Sequence, residues 1–539
     1  MIKRLVACCL MLLFLATSIM ATSAADASTL SLGLQRDEFK LMNAFVRPWY
    51  DSANFLGMTH VSLLAFKPDL SVAPCLAEKW DISPDGKSIK FYLVKNATWH
   101  DGKPVTADDV AFSFDYWKKN NLYAQGHWFE SYLDSAEVID EHTVELVFKE
   151  PVATTTLTSQ IPGTYIVPKH VWEKVEKPKE YDGMDAMVGC GPFIFENYDK
   201  DAAVVYLTAN HNYFAGKPSV EKIEWRYYRT LDSLLLALKK GEIDAKLDYY
   251  QPVPGVYAAD LIKSGNINLG IVPDIGVPLH LVFGFKQYPT NVTNFRQAIS
   301  YAIDYQALID MIAAGYGEVP CEGYSSPVLP GFNPNLPKLE YNSTKAKELL
   351  NRSGFLDIDG DGLRESPDGS KLKIPITPNS KQQVVRAAEV ISRQLADVGL
   401  DTYVESLSSD KVSEKAWTNR DYYMLVGWST PAGNIGADTG ATYYADLPGL
   451  YGTCKDPEIA DLVNKSMYSK DLKEMTSARS AIQEYVARQK PIIALIWGDA
   501  IYPYRTDRWE NWTLMSGYGP VNYWSWFSMK PMDARNKNI

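Results

Sequence analysis

The chain has 539 residues, a formal net charge of −11, and 46% hydrophobic against 22% charged residues. That length permits a large core or several lobes, and the balance is that of a globular protein rather than a disordered or fibrous one. The acidic excess excludes nucleic-acid binding through a basic face, because phosphate recognition needs positive charge.

Residues 1–25 read as a secretory signal peptide. Lys3 and Arg4 form the charged start, Leu5 to Ile19 the apolar run, and Ala21 to Ala25 the small residues of a cleavage site. The same residues would also serve as an uncleaved membrane anchor. No later run is long and apolar enough to span a bilayer, so the mature chain is expected to be periplasmic or otherwise extracytoplasmic. Cys75, Cys190, Cys321 and Cys454 remain after such a cleavage. An even number in an oxidising compartment allows up to two disulfides, with the pairing open. Their spacing fits no zinc motif.

The chain then alternates strand and helix signals. Asp85-Gly86 predicts a hairpin turn, and Ile89, Phe91 and Leu93 alternate as on a half-buried strand. Asp101-Gly102 predicts a second turn. Thr106, with Asp109 three residues on, predicts a helix start, and Ala107, Val110, Ala111 and Phe114 form its buried stripe. Ile223 to Tyr228 alternates as a strand, Leu231 to Lys240 has helical spacing, and Gly241 is placed to cap it. Glu242-Ile243-Asp244 opens another short strand. Helices are predicted over 295–304, over 343–353 with Ser343 or Thr344 as cap, over 384–398 and over 478–490. Buried strands are predicted over 422–428 and 492–497. This order of elements indicates an α/β protein, without internal repeats or low-complexity linkers.

Three stretches together carry a resemblance. They are Pro74 to Phe114, with Trp80, Ser83-Pro84-Asp85-Gly86 and Trp99-His100-Asp101-Gly102; Val188-Gly189-Cys190-Gly191-Pro192-Phe193; and Phe295 to Asp304. In that order they resemble the extracellular solute-binding proteins of oligopeptide, dipeptide and nickel ABC transporters, solute-binding protein family 5. The likeness covers roughly residues 40–530. It implies an α/β, two-lobed periplasmic-binding-protein (Venus-flytrap) fold with an additional subdomain. Residues 27–57, 186–280 and 499–539 would form lobe I, 58–185 the extra subdomain on it, and 281–498 the opposing lobe II. Placing Cys321 and Cys454 in one lobe makes them the first pair to consider for a disulfide.

The resemblance also implies ligand-binding positions. Trp428 stands where relatives line the pocket with a Trp, and an aromatic ring can wall an extended ligand at low entropic cost. Asp248, Tyr249 and Tyr250 match positions that face the ligand in relatives, Trp49, Tyr50 and Asp51 lie where relatives place N-terminal pocket residues, and Tyr123 and Trp128 fall at the tip of the extra subdomain as further candidate contacts. Each has a structural alternative, as core ring or surface loop. Relatives that hold a peptide's amino group commonly carry an Asp three residues after this Trp, where this chain has Pro431, with Asp438 nearby but displaced.

Asp357, Asp359, Asp361, Leu363 (through its carbonyl), Glu365 and Asp368 match a calcium-loop spacing, with Gly362 at the sharp turn. The bidentate Glu of such loops is replaced by Asp368, and a strand rather than a helix is expected to follow. A structural calcium and a plain solvated hairpin are therefore both open. No two of the seven histidines stand at i, i+4, and none lies beyond His280, which disfavours direct nickel coordination between two lobes. No Gly-x-Ser-x-Gly elbow or His-Glu-x-x-His helix is present.

The expected function is that of a non-enzymatic, monomeric substrate-binding component of an ABC importer. It would take an extended solute, peptide first, and deliver it to membrane permease subunits, with no catalytic residues, nucleic acid or cofactor beyond the calcium considered above. Oligosaccharide, nickel chelate or another small metabolite are alternative ligands. A secreted hydrolase is the alternative of another class, although nothing marks the paired carboxylates it would need.

Overall fold

The computed structural model describes residues 28–36, 43, 45, 56–120, 123–247, 251–427 and 452–532. The chain opens on β1 (Thr29–Gln35) and then builds a subdomain. This contains the hairpin β2 (Leu64–Phe66) and β3 (Val72–Pro74), and an antiparallel sheet of β4 (Ala77–Ile82), β5 (Ser88–Leu93), β6 (Leu133–Asp140) and β7 (Thr143–Phe148) in the order β4-β5-β7-β6. The chain returns through β8 (Phe193–Asp199), β9 (Val204–Ala209), β10 (Lys222–Tyr228), β11 (Ala245–Lys246) and β12 (Ile267–Pro273). A second half follows with β13 (Leu279–Phe283), β14 (Gly317–Glu318), β15 (Ile374–Pro378), β16 (Thr402–Val404) and β17 (Met424–Gly427). The long β18 (Ile492–Arg505) and the small pair β19 (Trp509–Glu510) and β20 (Lys530–Pro531) close the chain.

One 12-stranded sheet runs through both halves, in the order β16-β15-β17-β13-β18-β11-β1-β10-β9-β8, with β12 and β14 also on β18. β18 joins them. Its start pairs with β13 (Leu281 opposite Ile493) and its end with β12 (Ile267 opposite Arg505). The pairing with β12 stops at Pro273–Asp499 and the pairing with β13 begins at Leu279–Ile496. The halves are therefore two lobes crossed by chain at 274–278 and again around Gly498.

Each lobe buries both faces of its part of the sheet. Leu30, Leu32, Val205 and Trp225 fill one face in the first lobe, and Leu234, Leu238, Leu261 and Leu269 the other. In the second lobe Ile299, Ile376, Ile391 and Val426 fill one face, and Ile459, Ile482, Tyr485 and Ile492 the other. The subdomain has its own core, where Phe45 is ringed by Trp172, Trp117 and Tyr116 at 4.7, 4.9 and 5.0 Å.

Local chemistry explains the element ends. The Thr106 amide and hydroxyl both donate to Asp109 Oδ2, at 3.0 and 3.3 Å, half of a capping box at the start of helix Ala107–Asn120. Asp109 also takes the Trp99 indole N–H and the Lys169 amide, so this buried acid ties the Trp99–Asp101 turn to the helix. Helix Leu231–Lys240 ends on Gly241 at φ +79°, as expected, and starts on Thr230, and Arg505 of β18 donates to its Leu238 carbonyl at 2.9 Å.

Several expected boundaries move. The strand expected at Glu242–Asp244 begins at Ala245, because Asp244 is turned onto the Ser31 amide. Asn342 caps helix Ser343–Arg352, one residue before the hydroxyls of Ser343 and Thr344. Asp304 does not end the helix before it but caps the next one, Tyr305–Ala313. The last long helix is Leu472–Gln489, started by Asp471. The strand expected over 492–497, β18, continues eight residues beyond Trp497. Gly498 and Pro503 interrupt its sequence pattern, yet Pro503 is accommodated opposite Leu269. Among the described residues no helix is long and apolar enough to cross a membrane.

Candidate functional site

Strand direction locates the site. β18 enters from the second lobe and runs into the first. β11 lies antiparallel to it, with Ala245 opposite Tyr504, and β1 and β10 run parallel with β11, so all three head toward the second lobe. In the second lobe β13 leaves the junction antiparallel to β18, β17 returns antiparallel to β13 with Gly427 opposite His280, and β15 is parallel to β17. The carboxyl ends of β1, β10, β11, β15 and β17 thus meet at one junction from opposite sides. In open α/β sheets the crevice outside strand carboxyl ends is where ligands bind.

Trp428 directly follows β17, Asp248 follows Leu247 at the end of β11, and Trp49 to Asp51 follow β1 in the chain. Trp428, Asp248, Tyr249, Tyr250, Trp49, Tyr50 and Asp51 lie outside the described residues, as do Pro431 and Asp438. The anchors of these segments are described. The Leu247 amide donates to the Gly33 carbonyl at 2.8 Å. The buried His280 ring lies on Gly427, where an added Cβ would stand 2.3 Å from His280 Nε2. The residue before Trp428 is therefore held to glycine by close approach. Burial pushes the His280 imidazole down to about 4, and its Nδ1 bonds the Pro278 carbonyl at 2.8 Å. It is a neutral packing group at physiological pH.

Two buried polar groups at the junction are not apparent from sequence. Asn379, just past β15, accepts the Lys381 amide through Oδ1, while its Nδ2 has no hydrogen-bond partner among the described residues. Asp274, just past β12, has an Oδ1 without a partner among the described residues, and a Cβ added to Gly498 would lie 3.0 Å from its Oδ2. Burial first, and then the neighbouring Asp499 carboxylate, push the Asp274 carboxyl well above the usual range. In sequence both residues sit beside prolines and read as turn residues. Only the pairing of strands across lobes shows that their turns flank the crevice.

Tyr123 is the first residue of helix Tyr123–Tyr132, and its side chain is outside the described set. Trp128 of the same helix is half-buried, with its ring 4.6 Å from Tyr132 and its indole N–H donating to Thr156 Oγ1 at 3.0 Å. It braces helix Ala153–Ser159 within the subdomain.

The acidic hairpin brings together part of its candidate ligand set. The carboxylates of Asp357, Asp359 and Asp361 approach within 4.8 Å of one another. Lys371 Nζ sits against Asp359 Oδ2 at 2.9 Å and Asp361 Oδ2 at 2.7 Å, and these contacts push its ammonium upward. Leu363 contributes its amide N–H to Asp361. Glu365 is buried and accepts the Ile358 amide, and Asp368 holds Ser370 in the next turn. The three Asp residues fit a cation in charge, and Lys371 supplies one from within the chain.

All four described cysteines are buried and free. The pair Cys321 and Cys454 is not bonded. The Cys321 thiol lies on the Ser325 carbonyl at 3.6 Å, and Cys454 Sγ on the Tyr485 hydroxyl at 3.4 Å.

Comparison with known proteins agrees with this architecture. The family described as bacterial extracellular solute-binding proteins, family 5 (middle region), matches over residues 71–446. The dipeptide-binding protein of Escherichia coli K12 is 26% identical over 381 residues, covering 67% of this chain and 68% of that protein. The oligopeptide-binding protein AppA of Bacillus subtilis, solved with a nonapeptide, has a TM-score of 0.72 at 21% identity, over 94% of this chain and 99% of that one. NikZ of Campylobacter jejuni, solved with Ni(L-His), gives a TM-score of 0.72 at 21% identity over the same shares.

Proposed function

The chain belongs to the bacterial extracellular solute-binding proteins of family 5, and from that premise we propose that it captures an extended solute between its lobes, a peptide in the first instance, and delivers it to the permease of an ABC importer. The observation that carries this reading is the convergence of five strand carboxyl ends, from both lobes, on one junction crossed twice by the chain. Such a junction can hinge, and a ligand that binds both faces favours the closed arrangement over the open one. Trp428 and Asp248 to Tyr250 continue directly from these strands, and Trp49 to Asp51 come after β1 in the chain, which supports them as ligand contacts. The protein acts without catalysis, as a monomer, after export by its first 25 residues.

Pro431 stands where an ammonium-binding Asp is common, so the peptide's amino group is held by another residue. A nickel chelate is the weaker reading. His280, the histidine at the junction, is packed under Gly427 and bonded to the Pro278 carbonyl. The acidic hairpin is read as a structural turn whose charge Lys371 balances, with calcium as the competing occupant.

Native mass spectrometry of the mature protein, purified without refolding, tests the function. A ladder of released peptides is the expected result, and a single sugar or metal chelate would move the protein to another transport system. In the same assay series, Trp428→Ala should weaken binding of the released ligand roughly tenfold or more, the loss typical of a truncated aromatic contact.

A further inference from the structure

Away from the two crossings that join the lobes, the subdomain touches the second lobe. The donors are on helix Ala153–Ser159 and the acceptors on the last residue of helix Pro457–Met467 and the turn after it. Thr155 Oγ1 donates to the Met467 carbonyl and Thr154 Oγ1 to the Lys470 carbonyl, both at 2.8 Å. The Tyr132 hydroxyl lies 3.2 Å from Met467 Sδ. Met467 packs against the core of the subdomain and against that of the second lobe, and Tyr468 packs on the subdomain core beside it. Trp128, bonded to Thr156, packs its ring at a tilt against Tyr132 and braces the donor helix from behind.

We propose that the Met467–Lys470 turn and the Thr154–Thr155 pair form a latch that holds the second lobe against the subdomain and releases when the lobes part. The proposal rests on the hinged reading given above. Its chemistry suits a reversible contact. Hydroxyl-to-carbonyl bonds are neutral, and once separated both partners are satisfied by water, so each contributes modestly. A buried ion pair in the same place would leave uncompensated charge on separation and would resist opening. Met467 adds a flexible side chain that can leave one core while remaining on the other.

The test compares ligand-free, full-length mature protein with Thr154→Val/Thr155→Val and with Thr154→Ser/Thr155→Ser, by small-angle scattering and amide hydrogen exchange. The valine pair keeps shape and removes both donors, and the serine pair keeps the hydroxyls. The valine variant should show a larger radius of gyration and about tenfold faster exchange over residues 467–472, the scale of two lost neutral bonds. The serine variant should match the wild type. Tyr132→Phe, which deletes one hydroxyl and no carbon, should shift both readouts the same way by a smaller factor, and it serves if the valine pair fails to fold. Wild-type scattering and exchange in folded valine and phenylalanine variants would overturn the latch. The comparison uses no ligand, so a failure to release peptides in mass spectrometry would count against the proposed function without deciding this result.

Discussion

Two buried aspartates, one inside the first lobe and one at the crossing between lobes, are treated in opposite ways. Asp244 accepts the Ser31 amide at 2.8 Å and two contacts from Arg508 Nη1 at 3.0 and 3.1 Å. Arg508 in turn donates to the Thr29 carbonyl, so the network ties β1 to the chain after β18. Burial pushes the Asp244 carboxyl up, but these partners hold it to about 6. Among the described residues Asp274 has no cation beside it and its Oδ1 has no partner; its neighbour is Asp499, and it is driven well above the ordinary range. The lobe interior is built so that its buried charge is answered on every side, as a rigid body requires. The crossing carries an unanswered carboxyl, which lowers the stability of the arrangement seen here and so lowers the cost of leaving it.

The largest expected effect breaks the rigid side of this contrast. Asp244→Ala leaves the Arg508 charge and the Ser31 amide without their partner and should cost about 3–5 kcal/mol in denaturant unfolding. A loss below ~1 kcal/mol would mean that the pair is not what holds β1. Next comes Gly427→Ala, whose Cβ has no room beside the His280 ring. It should cost about 1–3 kcal/mol by overpacking and disturb binding through the adjacent Trp428, read by calorimetry with the released ligand.

Asp274→Asn should act in the other direction, raising stability at neutral pH, since it replaces a carboxyl whose charged form burial and Asp499 disfavour. The sign follows from linkage. A carboxyl whose folded value is raised keeps its proton in the native state longer than in the unfolded chain. Native stability is then lost as pH climbs from the unfolded value near 4 through the raised one. The difference between variant and wild type should vanish below about pH 4 and grow as the pH rises. A difference that does not change with pH would show that Asp274 is not shifted. The smallest effect concerns the acidic hairpin. With Lys371 in place, a chelator should leave the thermal midpoint of the wild type unchanged. In Lys371→Met, calcium should raise the midpoint, because three convergent carboxylates are left without a counter-charge. A chelator-induced fall in the wild type would show that an ion displaces Lys371.

Much of the local structure was legible in the chain. The Asp85-Gly86 turn, the stripe of helix Ala107–Asn120 and the Gly241 cap follow from short-range rules that involve a few neighbouring residues. Cap positions moved by a residue or so where a competing acceptor was equally near in sequence, as with Asn342 beside Ser343. The disulfide idea for Cys321 and Cys454 rested on sharing a lobe, which is far too coarse for a bond that requires particular Cα and Cβ distances. Asn379 and Asp274 were not legible as candidate site residues, since their meaning depends on partners that are absent rather than present.

The sequence by itself determined the class of the molecule: alternating α/β elements and a resemblance spread over most of the chain. These are carried by periodicity and by contiguous motifs, which need no knowledge of distant neighbours. Only the tertiary structure decided that the strand at Ile492 runs on to Arg505 through Gly498 and Pro503 and so joins the two lobes. The same holds for the meeting of five carboxyl ends, and for the turn at Met467 reaching Thr154 and Thr155. Each of these pairs residues far apart in the chain. Such contacts are selected by the burial of whole sheet faces, and no short-range pattern encodes them.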